Sequence, residues 1–132
     1  MGGANAPSAA RMQEVRGARL CDNGRTMTNI LTDLPDATAA EVFTLLLERP
    51  GVRIERIVSQ GQTTPVDAPH DQGHDEWVLL LAGAARLWVD GEGERELRPG
   101  DMALIPAGVR HRVTWTQSAP ATVWLAVHLE GS

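Results

Sequence analysis

Several large classes of protein are excluded by what this sequence has too little of. Cys21 is its single cysteine, so no disulfide can close within the chain, and a reducing, cytoplasmic setting is expected. Basic residues number 12 against 17 acidic ones and never gather into a run. Without a basic patch the chain lacks the attraction that a phosphate backbone requires, so a nucleic-acid partner is not expected. Apolar stretches are short: Trp77 to Leu81 is strand-length, far below the roughly 20 residues that span a bilayer. Met1 to Ala6 has neither the basic start nor the apolar centre of a secretory signal, and Ala6 lacks the hydroxyl of a myristoylation motif. Neither export nor a membrane partner is expected. No internal repeat and no defensible Ser/His/Asp order is visible, and Gly91-x-Gly93 is not followed by the helix that would make it a phosphate cradle.

What is present fits one domain of 132 residues, large enough to bury a core. Residues 1–20 are rich in Gly, Ala, Ser and Arg without periodicity, a composition that cannot offset its own ordering entropy, and are expected to form a flexible tail before a domain over 21–132. Thr38 followed by Glu41 makes a capping box, and Val42, Phe43, Leu45, Leu46 and Leu47 follow at helical spacing, so one amphipathic helix is predicted over about 36–48. Pro50-Gly51 would end it.

Beyond Gly51 the period shortens to two. Strands are predicted at Val52–Ser59, Glu76–Ala82, Ala84–Val89, Glu94–Leu97, Met102–Ile105, His111–Thr116 and Thr122–Glu130, separated by turn signals at Gly83, Asp90-Gly91, Pro99-Gly100-Asp101 and Pro106-Ala107-Gly108. Many short strands with regular Gly and Pro punctuation indicate an all-β sandwich or barrel. Alternation then assigns faces: Glu76, Val78 and Leu80 share one, Trp77, Leu79 and Leu81 the other, and both are apolar except at Glu76. His70, Gln72 and His74 precede that carboxylate within six residues, so up to four potential metal donors crowd one segment.

The spacing Gly100-x5-Pro106-x-Gly108-x2-His111 resembles the second motif of the cupin family, and Glu76-x6-Gly83 the latter half of the first. With the strands around them the likeness covers roughly Val52 to Glu130. It extends to a branch of small bacterial single-domain cupins through Val52–Ser59, Asp71-Gln72, Asp75–Val78 and His111–Val113. The resemblance implies a jelly-roll barrel, the double-stranded β-helix, with a divalent metal, commonly iron, manganese, zinc or nickel, held by two histidines and a glutamate of the first motif and the histidine of the second. Carried onto this chain, that set is His70, Gln72, Glu76 and His111, with Gln72 standing where the family has its second histidine. A neutral amide oxygen is a weak donor, so affinity should fall, unless His74 turns inward to substitute. The resemblance further implies a small-molecule ligand and a homodimer formed through edge strands.

Plainer roles compete with each of these. His111 could cap the turn after Gly108, Glu76 could pair with an arginine such as Arg112, and His70, Gln72 and His74 could simply be solvated. His128 shares a strand face with Trp124 and Ala126 and reads as a satisfied core or surface histidine. Trp77, Trp88, Trp115 and Trp124 read as core or interface anchors. Trp115, at a position where the family often has Asn, is placed by alternation on the His111 face as an aromatic pocket wall. The run Glu92–Arg98 reads as a solvated hairpin, and the Arg53/Glu55 pair as the wet face of a strand. Two functions follow: a metal-dependent enzyme acting on a small polar molecule, a carbohydrate or carboxylate, or a non-catalytic binding or sensing cupin.

Overall fold

The computed structural model describes residues 15–19, 27–65 and 72–130. Every regular element among them is a strand: β1 Val15–Arg19, β2 Val42–Arg49, β3 Val52–Ser59, β4 Asp75–Ala82, β5 Ala85–Val89, β6 Gly93–Leu97, β7 Met102–Ile105, β8 His111–Thr116 and β9 Thr122–Leu129. Six form one sheet in the order β1-β2-β3-β9-β4-β7, and three form a second in the order β6-β5-β8. All neighbours are antiparallel except β1 and β2. The seven strands predicted beyond Gly51 are present, each boundary within one residue.

The predicted helix over 36–48 is not formed. Val42–Arg49 is a strand, joined to β3 by a tight turn at Pro50-Gly51 and paired from Val42↔Val58 to Arg49↔Val52. Neither half of the supposed capping box caps anything. The Asp36 carboxylate accepts from the Thr38 amide and hydroxyl at 2.9 and 2.7 Å, making a local Asx-type turn. Glu41, buried, accepts from the Ser59 hydroxyl at 2.9 Å on the neighbouring strand. The apolar run that could line one side of a helix instead splits across the sheet: Phe43 packs inward opposite Ile57, and a bulge between Leu45 and Leu47 resets the alternation. Pairing with β3 satisfies the backbone and buries Phe43, and this tertiary gain overrides a weak local preference. Val15–Arg19, within the segment expected to be a tail, forms a strand running parallel to β2; the remainder of residues 1–20, and Cys21, lie outside the described residues.

The core lies between the sheets. Val78 and Leu80 of β4, Trp124 and Ala126 of β9 and Ile105 of β7 meet Ala85, Leu87 and Leu97 of the smaller sheet. A smaller cluster of Ala37, Val42, Val58 and Val123 covers one end of the outer face of the large sheet. After β3 the chain crosses to the second sheet, where the Thr64 amide donates to the Val113 carbonyl at 2.8 Å and the Thr116 hydroxyl to the Gln62 carbonyl at 2.8 Å. These bonds close one side of the barrel.

Gly83 makes the most crowded turn among the described glycines. Its φ is +79°, and a Cβ there would lie 2.7 Å from the Thr122 Cα and 2.8 Å from the Ala121 carbonyl oxygen. Gly91 has a comparable φ of +88° but open space around it. Gly91→Ala should therefore cost only the backbone strain of a left-handed residue, about 1 kcal/mol, and Gly83→Ala clearly more, about 3 kcal/mol, because backbone must also move. Urea unfolding of both variants checks this ranking; equal losses would mean that the crowding at Gly83 is not real.

Candidate functional site

Glu76 sits one residue into β4, opposite Ile105 of β7 and His128 of β9. Ile105 is 2% exposed, so the shared face is the barrel interior, and the Glu76 side chain is turned into one end of it. His111 opens β8 on the facing sheet, opposite Val89, and is buried. Its Nδ1 lies 3.1 Å from the Val109 carbonyl oxygen. A carbonyl can only accept, so Nδ1 carries the proton, and in the neutral ring Nε2 presents a lone pair. That Nε2 stands 3.8 Å from Glu76 Oε1.

Two atoms bound to one ion at roughly 2.0 to 2.2 Å lie roughly 3 to 4 Å apart, so the gap suits a shared cation, whereas it exceeds a hydrogen bond. The carbonyl behind the ring fixes its tautomer and its orientation. The Gln72 amide Nε2 donates to the same Glu76 Oε1 at 2.8 Å. In this geometry Gln72 orients the carboxylate. His70 lies outside the described residues, and among the described residues no group of three or more His, Cys, Asp or Glu is arranged to hold a metal. His111 and Glu76 thus present one nitrogen and one oxygen donor of the types a divalent cation takes.

His74 turns elsewhere. Its Nε2 lies 2.9 Å from His128 Nδ1, with the rings edge to face, and its Nδ1 lies 3.9 Å from a Glu130 carboxylate oxygen. Beyond it, His128 Nε2 meets Glu55 Oε1 at 3.1 Å. The carboxylate accepts, so the neutral His128 holds its proton on Nε2 and receives one from His74 Nε2. A chain Glu55–His128–His74 therefore runs from the interior to the barrel mouth beside the Glu76–His111 pair. Burial first, and then the charge that His128 carries when protonated, hold the His74 imidazole below its usual range, against the opposing pull of Glu130 and Glu76.

Glu55 was not identifiable as an interior residue from its strand alone. It is 4% exposed, faces inward opposite Ala126, and is not part of a wet face. The signal was available in the pairing register, since His128 and Glu55 point to one side only when β3 and β9 are neighbours. Trp115 also departs from its expected face. The β5–β8 register shifts between Arg86↔Trp115 and Leu87↔Val113, so the extra residue Thr114 turns Trp115 outward, where it is 40% exposed and lies beneath the Arg86 guanidinium at 5.8 Å. It walls no pocket. Arg112 stacks over Trp88 at 4.9 Å.

The model of the Cupin_2 cupin domain family matches residues 55–128. This chain belongs to the cupin family. A provisionally assigned mannose-6-phosphate isomerase from Ralstonia eutropha JMP134 is 42% identical, with 81% of this cupin and all of that chain aligned at a TM-score of 0.76. A Thermus thermophilus protein shares the fold at 23% identity and a TM-score of 0.65 over 78% of the cupin and 95% of its own chain. A 3-hydroxyanthranilate 3,4-dioxygenase of Burkholderia lata is 47% identical over 45 residues, 32% of this chain. The matched stretch spans about a quarter, 26%, of that curated relative. No helix among the described residues is long and apolar enough to cross a membrane.

The buried Glu55–His128 contact should couple energetically. His128→Ala removes one partner of a buried carboxylate and should cost about 2–4 kcal/mol, tempered by the contacts Glu55 keeps, Arg53 Nε at 3.9 Å among them. The His128→Ala/Glu55→Ala double variant should lose clearly less than the sum of the two single losses, because the second removal no longer strands a charge. Denaturant titrations of the four proteins check this; additive losses would show that the two side chains do not interact.

Proposed function

We propose that this cupin is a metal-dependent enzyme acting on a small polar molecule, a carbohydrate or carboxylate, at the mouth of its barrel. The observation that carries the reading is the buried His111 Nε2 facing Glu76 Oε1 across 3.8 Å, with the ring held in the ligating tautomer by the Val109 carbonyl. His111 and Glu76 would hold the ion, and His70, which the family's spacing places at the first motif's leading histidine, would complete the set. A divalent cation bound there supplies Lewis acidity toward a substrate oxygen. The chain's own residues do the rest. Gln72 holds the Glu76 carboxylate in place through its amide, the apolar core below the site excludes water, and the Glu55–His128–His74 chain fixes the His74 ring at the rim. The relative from Ralstonia eutropha, whose provisional assignment is a sugar-phosphate isomerisation, supports a phosphorylated or polyhydroxylated small molecule as the substrate class. A reducing cytoplasm suits the single cysteine.

A second reading, a non-catalytic binding or sensing cupin, is favoured by one feature. Gln72 occupies the position of a family histidine and donates to Glu76, so the ion loses an imidazole ligand.

Metal analysis of the protein purified without added metal separates the two. The first reading predicts a divalent ion approaching one per chain in the wild type and its loss in His111→Ala and Glu76→Ala. Gln72→His should tighten binding about tenfold or more by restoring an imidazole beside Glu76. A folded, metal-free protein that takes up no added zinc, manganese, iron or nickel, in both the wild type and the Gln72→His variant, would favour the second.

A further inference from the structure

Residues paired directly across neighbouring strands turn their side chains to the same side of the sheet. At the barrel mouth the register aligns Glu48, Arg53, His128, Glu76 and Ile105, one from each of β2, β3, β9, β4 and β7. Ile105 belongs to the core, so Arg53 faces the same interior as Glu76 and is not part of a wet outer face. Adjacent strands lie about 4.8 Å apart, which puts the Arg53 backbone roughly 10 Å from that of Glu76, with His128 between them.

The Arg53 guanidinium is poorly provided for. Its Nε is buried and has no hydrogen-bond partner. The two carboxylates it faces stand beyond hydrogen-bond distance, Glu130 Oε2 at 3.6 Å from Nη1 and Glu55 Oε2 at 3.9 Å from Nε. Glu55 is already engaged through Oε1 by His128 at 3.1 Å, and the Glu130 side chain is 49% exposed. A buried donor left unmade is costly, and the planar fork of N–H groups on an arginine matches an oxyanion two bonds at a time.

Beside this fork, at the β2–β3 turn and the end of β9, lies a cavity of about 350 Å³ lined by Arg49, Gly51, Arg53 and Glu130, with Glu48 at its side. That volume admits a small organic molecule. Glu48 and Arg49 are both exposed, so water screens them and Arg53 supplies the less solvated charge. Glu130 Oε2 also lies 3.9 Å from His74 Nδ1, which places this carboxylate between the cavity and the rim of the Glu76–His111 site.

We infer that Arg53 binds the anionic end, a phosphate or a carboxylate, of the small molecule on which the site acts, and that Glu130 is the internal carboxylate this anion displaces. The roughly 10 Å between the Arg53 and Glu76 backbones, shortened by both side chains, leaves the length of a small sugar phosphate or hydroxy acid. The reacting end of that molecule rests on the proposed function, the grip on its anion on Arg53 alone.

Proton–nitrogen NMR of the metal-free full chain tests the grip, since the Arg53 Nε–H gives a resonance recognised by its loss in Arg53→Lys. Inorganic phosphate or acetate should move that resonance saturably, and uncharged glucose should not; the tighter of the two anions identifies the headgroup. Arg53→Lys keeps the charge but loses the fork, and should weaken anion binding about tenfold, read at the Gly51 and Val52 amides. Glu130→Gln removes the competing carboxylate and should tighten it several-fold. A resonance that ignores both anions, in the wild type and in Glu130→Gln, would overturn the inference, as would an affinity unchanged in Arg53→Lys. A separate Zn²⁺ titration keeps the two claims apart. Anion binding at Arg53 without metal uptake sinks the proposed function alone, and metal uptake by a chain blind to both anions sinks this inference alone.

Discussion

The site depends on two hydrogen bonds that join the start of one sheet's strand to the turn before the other's. The Gly108 amide donates to the Gln72 carbonyl at 2.8 Å, and the Ala107 amide to the Asp75 carboxylate at 2.8 Å. Pro106–Gly108 leads into His111, and Gln72–Asp75 leads into Glu76. β4 and β8 belong to different sheets and do not pair, so core packing alone would set their separation loosely. Tying the two approaches together at the backbone fixes where each strand begins, and with it the distance between an imidazole and a carboxylate 35 positions apart in the chain. Asp75, outside the barrel, thus positions the site without entering it.

The barrel interior divides along its length. Its middle is closely packed and apolar, from Leu80 and Trp124 to Leu87 and Leu97. Its end holds Glu76, His111, His128 and Glu55, with Gln72 and His74 at the rim. Buried polar groups are costly unless partnered, and here each has one: Glu76 the Gln72 amide from the segment before β4, His111 the Val109 carbonyl, and His128 of β9 both His74 and Glu55 of β3. Such pairing rigidifies the mouth, and preorganised donors are what metal binding and small-molecule recognition both require. The same division explains why the fold alone cannot name a substrate, since one apolar barrel supports any polar set placed at its rim.

Most of the fold was legible because period-two alternation and Gly/Pro turns are local signals. The Val42–Arg49 strand was not, since its Leu-rich run satisfies a helical spacing as well as a pleated one, and only the presence of β3 beside it decides. The site was legible where it rests on motif spacing: Glu76 and His111 do converge. It was illegible where it rests on register. Glu55 and His128 meet across 73 positions, which no local pattern conveys, and the Thr114 bulge reverses the face of Trp115 against a simple count from His111. His74 was read as a possible substitute ligand, and the structure pairs it with His128 and not with the Glu76 carboxylate.

The convergence of His111 and Glu76 on one point is the central claim, and nitrogen NMR of histidine-labelled protein addresses it most directly. His111 should show a proton on Nδ1, held by Val109, and a bare Nε2. Added Zn²⁺ should shift that Nε2 resonance while the Nδ1 proton remains, and in Glu76→Ala the response should weaken. A His111 ring protonated on Nε2, or one whose signals ignore the ion while another histidine responds, would contradict it.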